Sequence, residues 1–149
     1  MSTAHNRVAV MHGVNLDMLG RRDPEIYGTD TLAQLEYRIH GFARDLGLEA
    51  SFFQTNHEGE FCEYLHRIPA TADAVLVNAG AWTHYSYAIR DALEVAGKPA
   101  VEVHISDVAD REDWRSISVF DGLVAAKISG KGLEGYREGL ALLTGELGI

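Results

Sequence analysis

The chain reads as an α/β fold, a three-layer sandwich with a five-stranded parallel sheet at its centre. Three observations carry that expectation. Short, Val-rich apolar runs alternate with longer amphipathic runs along the 149 residues, the pattern of strand–helix–strand crossovers. Gly, Pro, Asn and Asp punctuate the junctions. The polar residues that interrupt this pattern follow the first, third and fourth strands, and ligands of open parallel sheets bind beyond strand carboxyl ends.

Residues 7–11 form the first strand, which His12-Gly13-Val14-Asn15 ends. A long polar loop follows to about Asp30, holding Arg21, Arg22, Asp23, Pro24, Glu25, Tyr27 and Gly28. Loops of that length in compact domains are usually functional or disordered. Residues 31–46 predict a helix with Leu32, Leu35, Ile39, Phe42 and Leu46 on one face, a Thr31/Gln34 capping box, and Gly47 at its end. Residues 49–55 predict the second strand. A helix over 58–68 turns Phe61, Leu65 and Ile68 inward and is stopped by Pro69. Residues 74–77 predict the third strand, ending in Asn78-Ala79-Gly80, and a helix over 86–96 closes at Gly97. The fourth strand spans 99–106. Residues 107–118 are polar and aperiodic, 123–128 predict the fifth strand, and the last helix over 133–147 carries Leu133, Tyr136, Leu140, Leu143 and Leu147 on one stripe. Right-handed crossovers and five strands fit the flavodoxin-like order 2-1-3-4-5 in one domain covering 1–149. Its switch point lies between strands one and three, so the three polar clusters converge on one cleft.

The net charge of −9 and pI near 5.1 argue against nucleic acid or an anionic membrane as the main partner. An anionic small molecule stays open, because a few local arginines can oppose the global field. The single cysteine, Cys62, forms no intrachain disulfide and reads as a small core or boundary residue. No apolar run approaches the ~20 residues of a membrane span. The polar N-terminal residues lack a signal-peptide core, and the expected compartment is cytoplasmic.

The fourth strand holds two residues foreign to an apolar strand, Glu102 and His104. Strand alternation puts both on one face, where a carboxylate can orient an imidazole and help it keep its proton. Ile105 and Ser106 then leave the strand toward a ligand. In the first loop a guanidinium near the Tyr27 phenol favours the phenolate a general base needs. Arg22 and Arg21 are both in reach, and spacing does not choose between them. Gly130-Lys131-Gly132-Leu133-Glu134-Gly135 matches GxGxxG, but no strand and no acidic residue follow at the required distance. Close helix–strand packing accounts for it better than a dinucleotide. The first loop lacks the Gly/Ser/Thr cradle of a flavin site. The histidines do not fall at zinc-ligand spacing. His57 and His84 sit near helix starts; a cap or surface role is the plain account of His57, and for His84 a functional role competes with it.

Five segments together resemble one family: Gly20 to Gly28, Gln54 to Glu60, Asn78 to His84, Ile89-Arg90-Asp91-Ala92, and Glu102 to Ser106. Over nearly its whole length the chain is similar to the type II 3-dehydroquinate dehydratases. The resemblance implies a flavodoxin-like subunit, trimers assembled into a dodecamer, no cofactor and no metal. It implies reversible loss of water from 3-dehydroquinate to give 3-dehydroshikimate. It implies Tyr27 as base, Arg22 as its activator and His104 as the acid with Glu102 as partner. Asn15 matches the residue that holds a water against the enolate. Asn78, His84, Ile105, Ser106 and Arg115 match substrate contacts, and Asp91 a residue reaching a neighbouring subunit's site.

The chain departs from the family pattern in places. His12-Gly13-Val14-Asn15 stands where Asn-Gly-Pro-Asn is usual, which frees the backbone before Asn15. The run Asp107-Val108-Ala109-Asp110-Arg111-Glu112 adds two carboxylates that are expected near the site of an anionic substrate. Arg115-Ser116-Ile117-Ser118 replaces Arg-His-His-Ser. Two further readings fit these residues: a lyase of the same fold acting on another polyhydroxylated ring acid, and a binding or regulatory homologue.

Overall fold

The computed structural model describes residues 5–149, so the first four residues of the polar N-terminal stretch lie outside the described residues. In chain order the elements are β1 (Arg7–His12), a 3-10 turn (Leu16–Met18), α1 (Pro24–Tyr27), α2 (Leu32–Asp45), β2 (Glu49–Gln54), α3 (Glu58–Thr71), β3 (Ala74–Asn78), a 3-10 turn (Gly80–His84), α4 (Tyr87–Ala96), β4 (Ala100–His104), two 3-10 turns (Val108–Asp110 and Asp113–Ser116), β5 (Ala126–Ser129) and α5 (Leu133–Leu147). The strands are all parallel in the order β2-β1-β3-β4-β5, as the alternation predicts.

Strand alternation builds the three layers. Val8, Val10, Leu76, Val101 and Val103 face α2 and α5, where Leu35, Ile39, Tyr136, Leu140 and Leu143 complete one core. Ala9, Met11, Val75 and Val77 face the other way, onto Phe61, Leu65, Ile68, Ile89 and Phe120. Gly135 and Gly139 let α5 lie on β4: a Cβ would sit 3.4 Å from Val103 Cγ1 at the first and 3.1 Å from Val103 Cγ2 at the second. The second half of the GxGxxG run is therefore packing. The Thr31/Gln34 capping box is formed, with Gln34 N–H donating to Thr31 Oγ1 and Thr31 N–H to Gln34 Oε1.

Several boundaries differ from expectation. Pro69 does not stop α3, which runs on to Thr71 and is closed by Ala72 N–H donating to Ile68 O at 2.9 Å. Proline removes its own donor and its ring crowds the Leu65 carbonyl, but in the last turn that disturbance is confined to one hydrogen bond and the helix closes two residues later. On α2, Ala43 rather than Phe42 is fully buried; Phe42 lies half-buried under the Arg137 guanidinium. The fifth strand starts at Ala126, because 120–124 make a turn with Leu123 N–H donating to Phe120 O. The first loop holds one helical turn, α1, with Asp23 as its cap and Pro24 at its first position.

Register brings the functional ends together. His12 pairs with Asn78, and Val77 pairs with Glu102, so β1, β3 and β4 release their loops at one edge of the sheet. The loops after β1 and β3 touch backbone to backbone. A Cβ at Gly13 would fall 2.2 Å from Ala79 O, and one at Gly80, whose φ is +63°, would fall 2.7 Å from Val14 O. Only glycine permits that approach.

Candidate active site

Tyr27 stands at the end of α1, and its phenol oxygen accepts two guanidinium donors. Arg22 Nη2 donates at 2.8 Å and Arg111 Nη1 at 2.7 Å. The Arg22 guanidinium also lies over the ring, 3.8 Å from its centroid. Arg21 is exposed and makes no such contact, so Arg22 is the arginine of the loop that reaches the phenol. Arg111 is absent from the sequence-predicted set. It comes from the aperiodic run after β4, 84 positions from its partner. No spacing singles it out: it is one of two arginines, with Arg115, in an acidic segment. Two cations on one oxygen stabilise negative charge there, which is what a phenolate base requires.

On β4, Glu102 and His104 point to one face, as alternation predicts. Glu102 is fully buried, and its Oε2 lies 2.5 Å from His104 Nε2. Its other oxygen accepts the Ser118 hydroxyl at 2.8 Å. The carboxylate occupies Nε2 and leaves Nδ1 of His104 for an occupant of the cleft. The His84 ring stacks at 6.3 Å from that of His104. His84 Nδ1 sits 2.6 Å from Ile117 O, and a carbonyl only accepts, so Nδ1 carries the proton. Burial pushes the His84 pKa below the ordinary histidine value, against the raising effect of that carbonyl. His84 is thus the neutral tautomer with Nε2 as an acceptor, suited to a ligand hydroxyl.

Asn15 adopts a left-handed backbone, φ 68°. No proline precedes it, and Asn56 holds its backbone: Asn56 Oδ1 accepts Asn15 N–H at 2.8 Å, and Asn56 Nδ2 donates to Asp17 at 3.0 Å. The other departure in this segment, His12, is buried against Phe52 with Nε2 3.2 Å from Glu36 Oε2, outside the cleft. Asn78 is bound at both ends. Its Oδ1 accepts Gly80 N–H at 3.1 Å, and its Nδ2 donates at 3.1 Å to the Tyr136 phenol, whose pKa burial pushes up to about 12. One Nδ2 proton of Asn78 remains for a ligand.

These side chains meet in one cleft of about 90 Å³ between the three loops. Asn15, Arg22, Tyr27, Asn78, His84, His104, Ile105, Ser106 and Arg115 all line it, with Arg111 beside them. Glu102 stands behind His104. Asp91 is exposed on α4 and lines no part of this cleft. Among the described residues, the cleft wall carries three arginines and no Asp or Glu. The two extra carboxylates expected near the site stand beside the cleft and not in its wall. Asp107 and Asp110 line a separate open hollow of about 930 Å³, which meets the cleft at Tyr27, Ile105, Ser106 and Arg111. The reason is local: Asp107 Oδ1 turns back to accept Ala109 N–H and cap the next turn. Though larger, that hollow lacks the histidines; Tyr27, His84 and His104 come together in the smaller cleft.

The profile of the family "Dehydroquinase class II" matches residues 6–144. The chain is 50% identical over 135 residues to the 3-dehydroquinate dehydratase of Syntrophotalea carbinolica, covering 90% of this chain and 91% of that one. It is 48% identical over 138 residues to the protein of the same name from Pelobacter propionicus, covering 92% and 91%. The crystal structure of type II dehydroquinase from Propionibacterium acnes superposes with a TM-score of 0.88 at 40% identity, covering 95% of this chain and 99% of that one. Sequence, fold and relatives agree, and the chain belongs to the class II dehydroquinase family.

Proposed function

We propose that the protein is a 3-dehydroquinate dehydratase, a hydro-lyase that removes water from 3-dehydroquinate to give 3-dehydroshikimate. The observation that carries this is the Tyr27 oxygen between two guanidinium groups, in the same cleft as a histidine backed by a buried carboxylate. Tyr27 takes the proton beside the ketone, and the charge passes to an enolate. Asn15 holds a water against that enolate. His104, fixed on Glu102, delivers a proton from Nδ1 to the departing hydroxyl. Arg115 and the other guanidinium groups attract the substrate carboxylate locally, although the chain as a whole carries −9. His84 Nε2 and the free Nδ2 proton of Asn78 bind ring hydroxyls, with Ile105 and Ser106 closing the wall.

The assembly is a trimer-based dodecamer, and Asp91 contributes to a neighbouring subunit's site. Tyr87, Asp91 and Val95 fall on one face of α4 at spacings of four and are all exposed, with Tyr87 at 67% and Val95 at 66%. Such a stripe suits a subunit contact. Light scattering that finds a stable, active monomer overturns this assembly. The lone free cysteine suits a reducing compartment, and we place the enzyme in the cytoplasm.

Purified protein mixed with 3-dehydroquinate should produce the absorbance of a conjugated enone at ordinary enzyme rates. Binding without turnover would favour a regulatory homologue. Turnover of a different ring acid, with 3-dehydroquinate inert, would favour a related lyase.

A further inference from the structure

We infer that Ser118 is a positioning residue for the proton donor, acting through Glu102 on His104; this rests on the acid role proposed above for His104. A buried carboxylate needs donors on both oxygens, or it rotates to find them. His104 serves Oε2 of Glu102, and Ser118 Oγ donates to Oε1 at 2.8 Å. The Ser118 hydroxyl has its direction set as well. Phe120 N–H donates to Ser118 Oγ at 3.1 Å, so the hydroxyl proton is left for the carboxylate. The result is a buried relay from a backbone amide to a hydroxyl, a carboxylate and an imidazole. Rotation of the carboxylate is locked, and with it the direction of Oε2 toward Nε2.

The segment that carries Ser118 is itself pinned. Val119 N–H donates to Thr83 O at 2.8 Å, and Arg90 Nη1 donates to Val119 O at 2.5 Å and to Asp121 O at 3.1 Å. Thr83 adjoins His84, so the same anchor ties the relay to the opposite histidine. Neither Ser118 nor Phe120 lines the cleft. Ser118 therefore acts on the reaction without touching substrate.

The test is Ser118→Ala, with Ser118→Thr as the conservative variant and both changes repeated in a His104→Ala background. Ser118→Ala should lower kcat by about 10- to 150-fold, the range for one hydrogen bond to a charged group, with KM within about twofold. Ser118→Thr, which keeps the hydroxyl, should recover most of that loss. In the His104→Ala background, Ser118→Ala should cost almost nothing further, because the group it positions is gone. Thermal melts establish that each variant is folded. Unchanged kcat in Ser118→Ala, a rise in KM alone, or an equal loss with and without His104 each overturns the inference while leaving the role of His104 intact. Near-normal turnover in His104→Ala by itself removes the acid role on which the inference rests.

Discussion

Removing either guanidinium from Tyr27 should slow the reaction through kcat. Arg22 and Arg111 each place one donor on the phenol oxygen, at 2.8 Å and 2.7 Å. A hydrogen bond involving a charged group contributes about 1.5–3 kcal/mol. At roughly 1.4 kcal/mol per factor of ten, Arg22→Ala and Arg111→Ala should each lose about 10- to 150-fold in kcat. A Coulomb estimate for charges ~4 Å apart near a protein surface is about 4 kcal/mol, which lies above that range and sets an outer limit of roughly 700-fold. Arg22→Lys keeps the charge but loses the planar group stacked 3.8 Å from the ring centroid, and should fall between wild type and Arg22→Ala. Arg111 also reaches Ser106 Oγ at 3.4 Å, so a double-mutant cycle of Arg111→Ala with Tyr27→Phe isolates the contact to the phenol. Initial rates of enone formation, at saturating and limiting 3-dehydroquinate, separate kcat from KM, and thermal melts check folding. Full kcat in Arg111→Ala would refute the two-cation account of Tyr27. Full activity in Tyr27→Phe, expected instead to lose on the order of 100-fold or more, would refute the base assignment itself.

Three further outcomes follow from the geometry. Tyr136→Phe leaves a buried Asn78 donor without its acceptor and should cost about 1–3 kcal/mol in denaturant unfolding; an unchanged midpoint would show that Asn78 finds another partner. Asn56→Ala removes the acceptor that holds Asn15 N–H, and turnover should fall several-fold, about 3- to 10-fold for a typical net hydrogen bond, with only a small change in melting temperature; full activity would show that Asn15 keeps its backbone unaided. The hydrogen bonds that Arg7 makes to Asp73 hold that carboxyl below its ordinary pKa. A depressed folded value means that Asp73 contributes stability above an unfolded pKa of ~3.9, and that this is lost as pH falls through the lower folded value. Melts of Asp73→Asn should show less acid sensitivity than wild type in that window, and parallel curves would contradict the ion pair's role.

Local chemistry, written in neighbouring residues, determined much of this protein. The alternation of Val-rich and amphipathic runs was enough for the strand order, because right-handed crossovers leave few topologies. The Thr31/Gln34 box and the closing Gly97 could be read because a cap involves residues within one turn. Glu102 and His104 could be paired because residues two apart on one strand share a face. Tertiary structure alone decided what depends on distant partners. Arg22 was separated from Arg21 by the way α1 turns the loop, which adjacent numbering does not reveal. Arg111 and Ser118 come from a segment without periodicity, and each finds its partner across the sheet edge. Asp107 and Asp110 follow β4, yet their backbone turn directs them into the neighbouring hollow. Side-chain direction in an aperiodic loop is set by the caps and contacts it meets after folding, and no spacing along the chain encodes those.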